Sequence, residues 1–137
     1  MTYDELAAQV GLSASAALRR VKRLEEAGVI AGYVALVAPE RVGLGLTAYI
    51  NVRLEKHTDS HKRSPMDLFA AAVQTWPEVV ECAALTGEMD YLLHVAAADF
   101  EAFAEFALKA LLRMPGVKET RSSFVLQALK PPGGAPL

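Results

Sequence analysis

Cysteine is nearly missing from this 137-residue chain. The single one, Cys82, leaves no disulfide framework and no cysteine-built zinc cluster, and suits a reducing cytoplasm. No apolar run reaches membrane-spanning length, and the N-terminus has no signal-peptide pattern. A cytoplasmic protein with no membrane partner is therefore expected. An excess of one charge is lacking too. With 14 Lys and Arg against 16 Asp and Glu, for a net charge of −2, the chain is not broadly polybasic, so any surface for nucleic acid has to be local. Paired carboxylates, a nucleophile beside a base and a phosphate-binding glycine loop are absent, which leaves neither an enzymatic centre nor a cofactor to expect. Apolar residues are plentiful. At 53% they can fill a core in one ordinary domain or two small ones.

The most informative stretch runs from Gly11 to Ile30, GLSASAALRRVKRLEEAGVI. Ser13 is a good N-cap, helix formers follow it, and Gly28 suits the stop. At about 100° per residue, Ala14, Ala17, Leu18, Val21 and Leu24 share one side of this helix. Ser15, Ala16, Arg19, Lys22 and Arg23 share the other, with Arg20 on the flank. Small residues at the start allow close approach, and the cations behind them can neutralise phosphates or pair with guanine edges, as a helix in a DNA major groove must. Alone, such a stretch is more often a solvated amphipathic face. Its upstream context shifts the balance. TYDELAAQVGLS offers Thr2 as an N-cap with Glu5 at capping-box spacing, a short helix carrying Leu6 and Val10, and a turn at Gly11. Helix, glycine turn and basic helix is the helix-turn-helix order.

Further along, Val29 to Val37 reads as a strand, Pro39 to Arg41 as a turn, and Gly43 and Gly45 as a hinge at a domain boundary. In the polar run EKHTDSHKRS, His57 and His61 have a spacing that a metal can use, but no further ligand is arranged beside them; a solvated loop is the better account and no metal is expected. Beyond the hinge one βαβ unit occurs twice. Strand 46–54 leads to a helix with Met66, Phe69, Ala70 and Val73, then Trp76-Pro77 and a strand to Leu85. Strand 91–97 leads to a helix with Phe100, Phe103, Ala104, Ala107, Leu108 and Leu111, then Met114-Pro115 and a strand to Leu129. Proline ends each helix because it lacks an N–H and restricts the residue before it. Two such units make the ferredoxin-like plan, a four-stranded antiparallel sheet with both helices on one face. Apolar residues in both alternation classes, Leu92 with Leu93 and Val125 with Leu126, predict that the other face is buried against a second copy.

Between the units, Leu85-Thr86-Gly87-Glu88-Met89-Asp90 reads first as a hairpin loop with Gly87 at positive φ. A second reading is a small-ligand cleft. Amides around a glycine can hold a carboxylate and Asp90 can accept from an ammonium group, a combination that suits an amino acid. Ser122 and Ser123 on the last strand are candidates to line the same cleft from a neighbouring subunit.

GLSASAALRRVKRLEEAGVIAGYVA resembles the helix-turn-helix signature of the Lrp/AsnC (feast/famine) transcription regulators, and LTGEMDYLLHV resembles the loop and strand of their ligand-sensing domain. The likeness covers nearly the whole chain. It implies an α+β protein with a helix-turn-helix over residues 1–30, a connecting strand and hinge over 31–45 and a ferredoxin-like βαββαβ ligand-sensing and oligomerisation domain over 46–130; residues 131–137 are expected to be a disordered tail. As partners it implies double-stranded DNA, an amino acid or similar small-molecule effector, and a homodimer assembling to a tetramer or octamer. By position it implies Ser15, Ala16, Arg19, Arg20 and Arg23, with Lys22 on the same face, as DNA contacts. Thr86, Gly87, Met89 and Asp90 fall at the effector, with Ser122 where the family commonly has Thr. Family members usually begin with a further helix, and this sequence opens at the second. An incomplete helix-turn-helix is therefore expected, with Leu6, Val21 and Leu24 short of cover at about 1.5–3 kcal/mol per large side chain. Two alternatives stand beside the regulator: an enzyme like the sirohaem decarboxylases, which share the architecture and use His and Arg to hold a tetrapyrrole, and a stand-alone sensor without DNA binding. Only His94 lies in a strand, where histidine is more often a satisfied sheet residue than a catalyst.

Overall fold

A computed structural model describes residues 1–56 and 63–130; His57, His61 and the 131–137 tail lie outside the described residues. The chain divides into two compact units, Met1–Leu36 and Val37–Leu137. Among the described residues no helix is long and apolar enough to cross a membrane.

The first unit holds α1 (Tyr3–Val10) and α2 (Ala14–Glu26). Thr2 Oγ1 accepts the Glu5 N–H at 3.2 Å while the Glu5 carboxylate accepts the Thr2 N–H at 2.8 Å, so the capping box satisfies two donors that a helix start leaves free. Gly11, at φ 69°, closes α1 in the left-handed region. Ser13 Oγ accepts the Ala16 N–H at 3.3 Å and opens α2. The helices meet over Ala7 and Ala17, both buried, whose small side chains let the backbones approach. Leu6 and Val21 are half-buried. With Met1, Tyr3, Ile30 and Tyr33 they line an open apolar groove of about 470 Å³.

The strand expected over Val29 to Val37 does not form. Among the described residues no ladder partner lies beside this segment, and Val29, Tyr33, Val34, Leu36 and Val37 are all exposed. A lone extended segment has no inter-strand hydrogen bonds to hold it. Pro39–Val42 then makes a short 3₁₀ turn that ends at Gly43.

The second unit runs β1 (Leu46–Leu54), α3 (Pro65–Val73), β2 (Val79–Ala84), β3 (Tyr91–Ala97), α4 (Phe100–Phe106) and β4 (Val117–Phe124), with a π turn over Ala107–Leu111 after α4. All pairings are antiparallel in the order β2-β3-β1-β4, the ferredoxin-like arrangement. The central strands alternate. Ile50 and Val52 on β1 and Tyr91, Leu93 and Val95 on β3 are buried in one cluster with Phe69 of α3 and Phe103, Phe106 and Leu111.

Helical periodicity misplaces part of α4. Phe100 and Leu108 are 62% and 61% exposed, whereas Phe106 is buried. For Leu108 the cause is the π turn, in which the Leu112 N–H reaches the Ala107 carbonyl and one extra residue enters the turn, whereas Phe100 opens α4 and lies beside Phe103 and Phe124. That extra residue brings Leu111 back over the core and swings Leu108 outward. Met66, in the first turn of α3, is exposed as well. The last strand stops at Phe124, not Leu129: Phe124 already pairs with Ala48, and after the Val125 N–H bond to Thr47 the chain runs past the start of β1. The sheet face away from the helices is also more polar than expected. Tyr49, Asn51 and Arg53 lie there with Glu119 and Arg121, beside Leu92.

The Met-Pro-Gly link before β4 is sterically tight. Gly116 has φ 88°, and a Cβ there would sit 2.8 Å from Pro65 Cβ, a ring atom that cannot rotate away. Gly116→Ala is expected to destabilise the protein by about 2 kcal/mol or more, read as a lower denaturant midpoint. Gly87→Ala, with φ 103° but open space around it, should cost less because only backbone strain acts.

Candidate functional site

On α2 the side chains of Ser15, Arg19, Arg20, Lys22 and Arg23 are exposed and Ala16 is half-buried. Ala16, Arg19, Arg20 and Arg23 rim a shallow depression of about 190 Å³. None of the ion pairs among the described residues uses an α2 cation; all of them lie in the second unit. Glu25, one of two acids at the end of α2, accepts the Tyr33 hydroxyl at 2.7 Å. That bond pushes the Tyr33 phenol above its ordinary pKa. The result is a ridge of cations, without carboxylate partners among the described residues, behind a small-residue helix start, a surface suited to a polyanion.

In the 85–90 loop the Leu85 N–H bonds to the Asp90 carbonyl at 2.8 Å, and the Asp90 N–H bonds to the Val52 carbonyl at 2.9 Å. Asp90 Oδ2 also accepts the Leu54 N–H at 2.7 Å. One carboxylate oxygen of Asp90 thus splices the loop onto the end of β1, which leaves the carboxylate acceptor capacity for a ligand. Gly87 turns at φ 103° with nothing packed over it. Met89 is buried, whereas Thr86 is exposed. The hairpin brings Thr86, Gly87, Met89 and Asp90 together. Ser122 stands apart, opposite Ile50 on β4, with β1 between it and β3, and Ser123 faces Tyr49.

A ring of charge that sequence reasoning missed adjoins this loop. Arg53 of β1 binds Glu119 at 2.5 Å; Arg121 binds Glu119 at 2.9 Å and the loop residue Glu88 at 3.2 Å; Arg53 lies 4.0 Å from Glu88. Its members come from three distant parts of the chain, and the one sequence signal is Glu119 and Arg121 sharing a strand face at i, i+2. The hydrogen bond from Arg121, reinforced by the charges of Arg121 and Arg53, holds the Glu119 carboxyl below its ordinary pKa. A depressed native pKa stabilises the fold above the unfolded value, and the gain is lost as pH falls through the native one. Acid should therefore lower the melting temperature below the usual glutamate range, and Glu119→Gln should blunt that dependence. Identical acid slopes for both proteins would remove Glu119 from this role.

His94 stacks on Tyr49 with ring centroids 4.9 Å apart, and its Nδ1 lies 3.9 Å from Glu81. Among the described residues no three His, Cys, Asp or Glu side chains are grouped to hold a metal ion.

Two families match the chain: the Lrp/AsnC ligand binding domain over residues 47–134 and a winged helix-turn-helix DNA-binding family over residues 1–31. An uncharacterized HTH-type transcriptional regulator of Sinorhizobium fredii is 42% identical over 87% of this chain and 91% of its own length. The Bkd operon transcriptional regulator of Pseudomonas aeruginosa is 34% identical over 100% of this chain and 87% of its own. The leucine-responsive regulatory protein of Haemophilus influenzae is 38% identical over 92% and 74%. Among solved structures, a transcriptional regulator from Neisseria meningitidis in complex with L-Met gives a TM-score of 0.90 at 46% identity, covering 99% of this chain and 85% of that one. A feast or famine regulatory protein from M. tuberculosis complexed with L-methionine gives 0.77 at 33% identity, covering 95% and 83%.

Proposed function

The chain belongs to the Lrp/AsnC family of transcriptional regulators, and on that premise we propose that α2 enters a DNA major groove with Ser15 and Ala16 against the base edges and Arg19, Arg20, Lys22 and Arg23 on phosphates or guanines. One observation carries this reading: the four cations are exposed and take no carboxylate partner among the described residues, in a protein whose net charge is −2. Positive potential is thus concentrated where a helix can deliver it to a duplex. Residues 1–30 do this work, 31–45 connect, and 46–130 sense and assemble.

The sensing site binds an amino acid or similar metabolite at Thr86, Gly87, Met89 and Asp90. Open space at Gly87 and the L-methionine carried by two solved neighbours support that class of effector. Ser122 shares the Ile50 side of the sheet, while Arg121 beside it reaches the loop on the other side, and the contribution of Ser122 is assigned to another copy. Copies packed through the sheet face give the dimer, and dimers assemble further to a tetramer or octamer in the cytoplasm. The family is one of transcriptional regulators, which favours this reading over a decarboxylase-like enzyme.

The test is a titration of a labelled duplex taken from upstream of the chain's own gene, with and without L-methionine. Saturable binding that weakens steeply with salt and shifts with the amino acid is expected. Failure to bind that duplex at low salt would sink the DNA reading; binding indifferent to L-methionine and to leucine would sink the effector half.

A further inference from the structure

The charge ring beside the loop is built unevenly. Arg53 and Glu119 are cross-strand neighbours on β1 and β4, and Arg121 follows two residues later on the same face, so the sheet fixes three members before any ion pair is counted. Glu88 alone sits on a loop. Its side chain is 62% exposed, against 29% for Glu119, and it is held at 3.2 Å by Arg121 and 4.0 Å by Arg53. An isolated exposed ion pair contributes little, because two long side chains must be immobilised for one weak attraction. Here the two guanidiniums are already immobilised by Glu119, so the ordering cost of capturing Glu88 is mostly its own. Asp90 ties one end of the turn to β1; Glu88, next to the left-handed Gly87, ties the tip. Without that second tie a glycine turn with nothing packed over it has many conformations to visit.

Resting on the reading of this loop as the effector site, we propose that Glu88 is a positioning residue whose ion pairs with Arg121 and Arg53 hold the Gly87 turn in the shape that receives the effector, without Glu88 touching the effector itself. The experiment compares wild type with Glu88→Gln and Glu88→Asp in the full chain. Hydrogen exchange of the 85–90 amides reads the turn directly, and calorimetric titration with L-methionine reads the site. In Glu88→Gln, loop exchange should speed up and L-methionine affinity fall, each by about two- to fivefold. The salt sensitivity of the wild-type affinity should disappear with the charge, Glu88→Asp should stay near wild type, and melting temperatures should not move. Unchanged loop exchange in Glu88→Gln overturns the proposal, as does faster exchange with undiminished affinity in a protein that binds L-methionine. If wild type binds neither L-methionine nor leucine, the effector reading falls, while the exchange rates still decide whether Glu88 tethers the turn.

Discussion

Replacing Arg19 and Arg23 together by alanine is expected to weaken duplex binding by about one to two orders of magnitude and to flatten its dependence on salt. Each lost phosphate contact lowers the log–log slope by about 0.9, and an arginine paired to guanine contributes about 1–3 kcal/mol of discrimination. Among the described residues neither has a carboxylate partner, so the fold should melt as before. Arg113→Ala removes an exposed cation from the other unit and serves as the comparison. Should the double variant and Arg113→Ala show the same slope, α2 is not the surface that meets phosphate.

Phe69→Ala should have the largest effect on stability. Phe69 is fully buried, stacks on Tyr91 with centroids 4.7 Å apart and meets the edge of Trp76 at 5.8 Å. Truncation removes transfer energy and leaves a cavity that neighbouring strands cannot close, at a cost of about 3–5 kcal/mol. Trp76 is the chain's one tryptophan and lies against the site, so its fluorescence follows denaturant unfolding of that unit. Met66→Ala, on the exposed side of the same helix, should change the midpoint by no more than about 0.5 kcal/mol. Equal midpoints for the two variants would mean that the cluster around Phe69 does not hold the sheet and helices together.

Local chemistry explains why much of this was legible. Thr2 with Glu5, Ser13 and Gly11 act within four residues of themselves, so the helix starts and the turn between them can be read from the string. The bounds of β1 and β3 follow from alternation, and the repeated βαβ pattern leads to the sheet order. Features that depend on a partner or on an irregularity were not legible. The 29–37 segment has strand composition but no neighbour, and the π turn breaks the period that assigned Leu108 to the core. At the candidate site, the exposed face of α2 could be read from spacing. Asp90's bond to Leu54 and the ring of Arg53, Glu88, Glu119 and Arg121 could not, because they join residues that only the folded sheet brings together.

The uncovered segment between α2 and the 3₁₀ turn has a practical corollary. Tyr33 and Leu36, exposed and outside any helix or ladder, present bonds that a chymotrypsin-like protease can cleave. The rate of nicking at these two bonds therefore gives a running record of whether another molecule has come to shield them, falling as protein concentration rises if copies of the chain do the shielding.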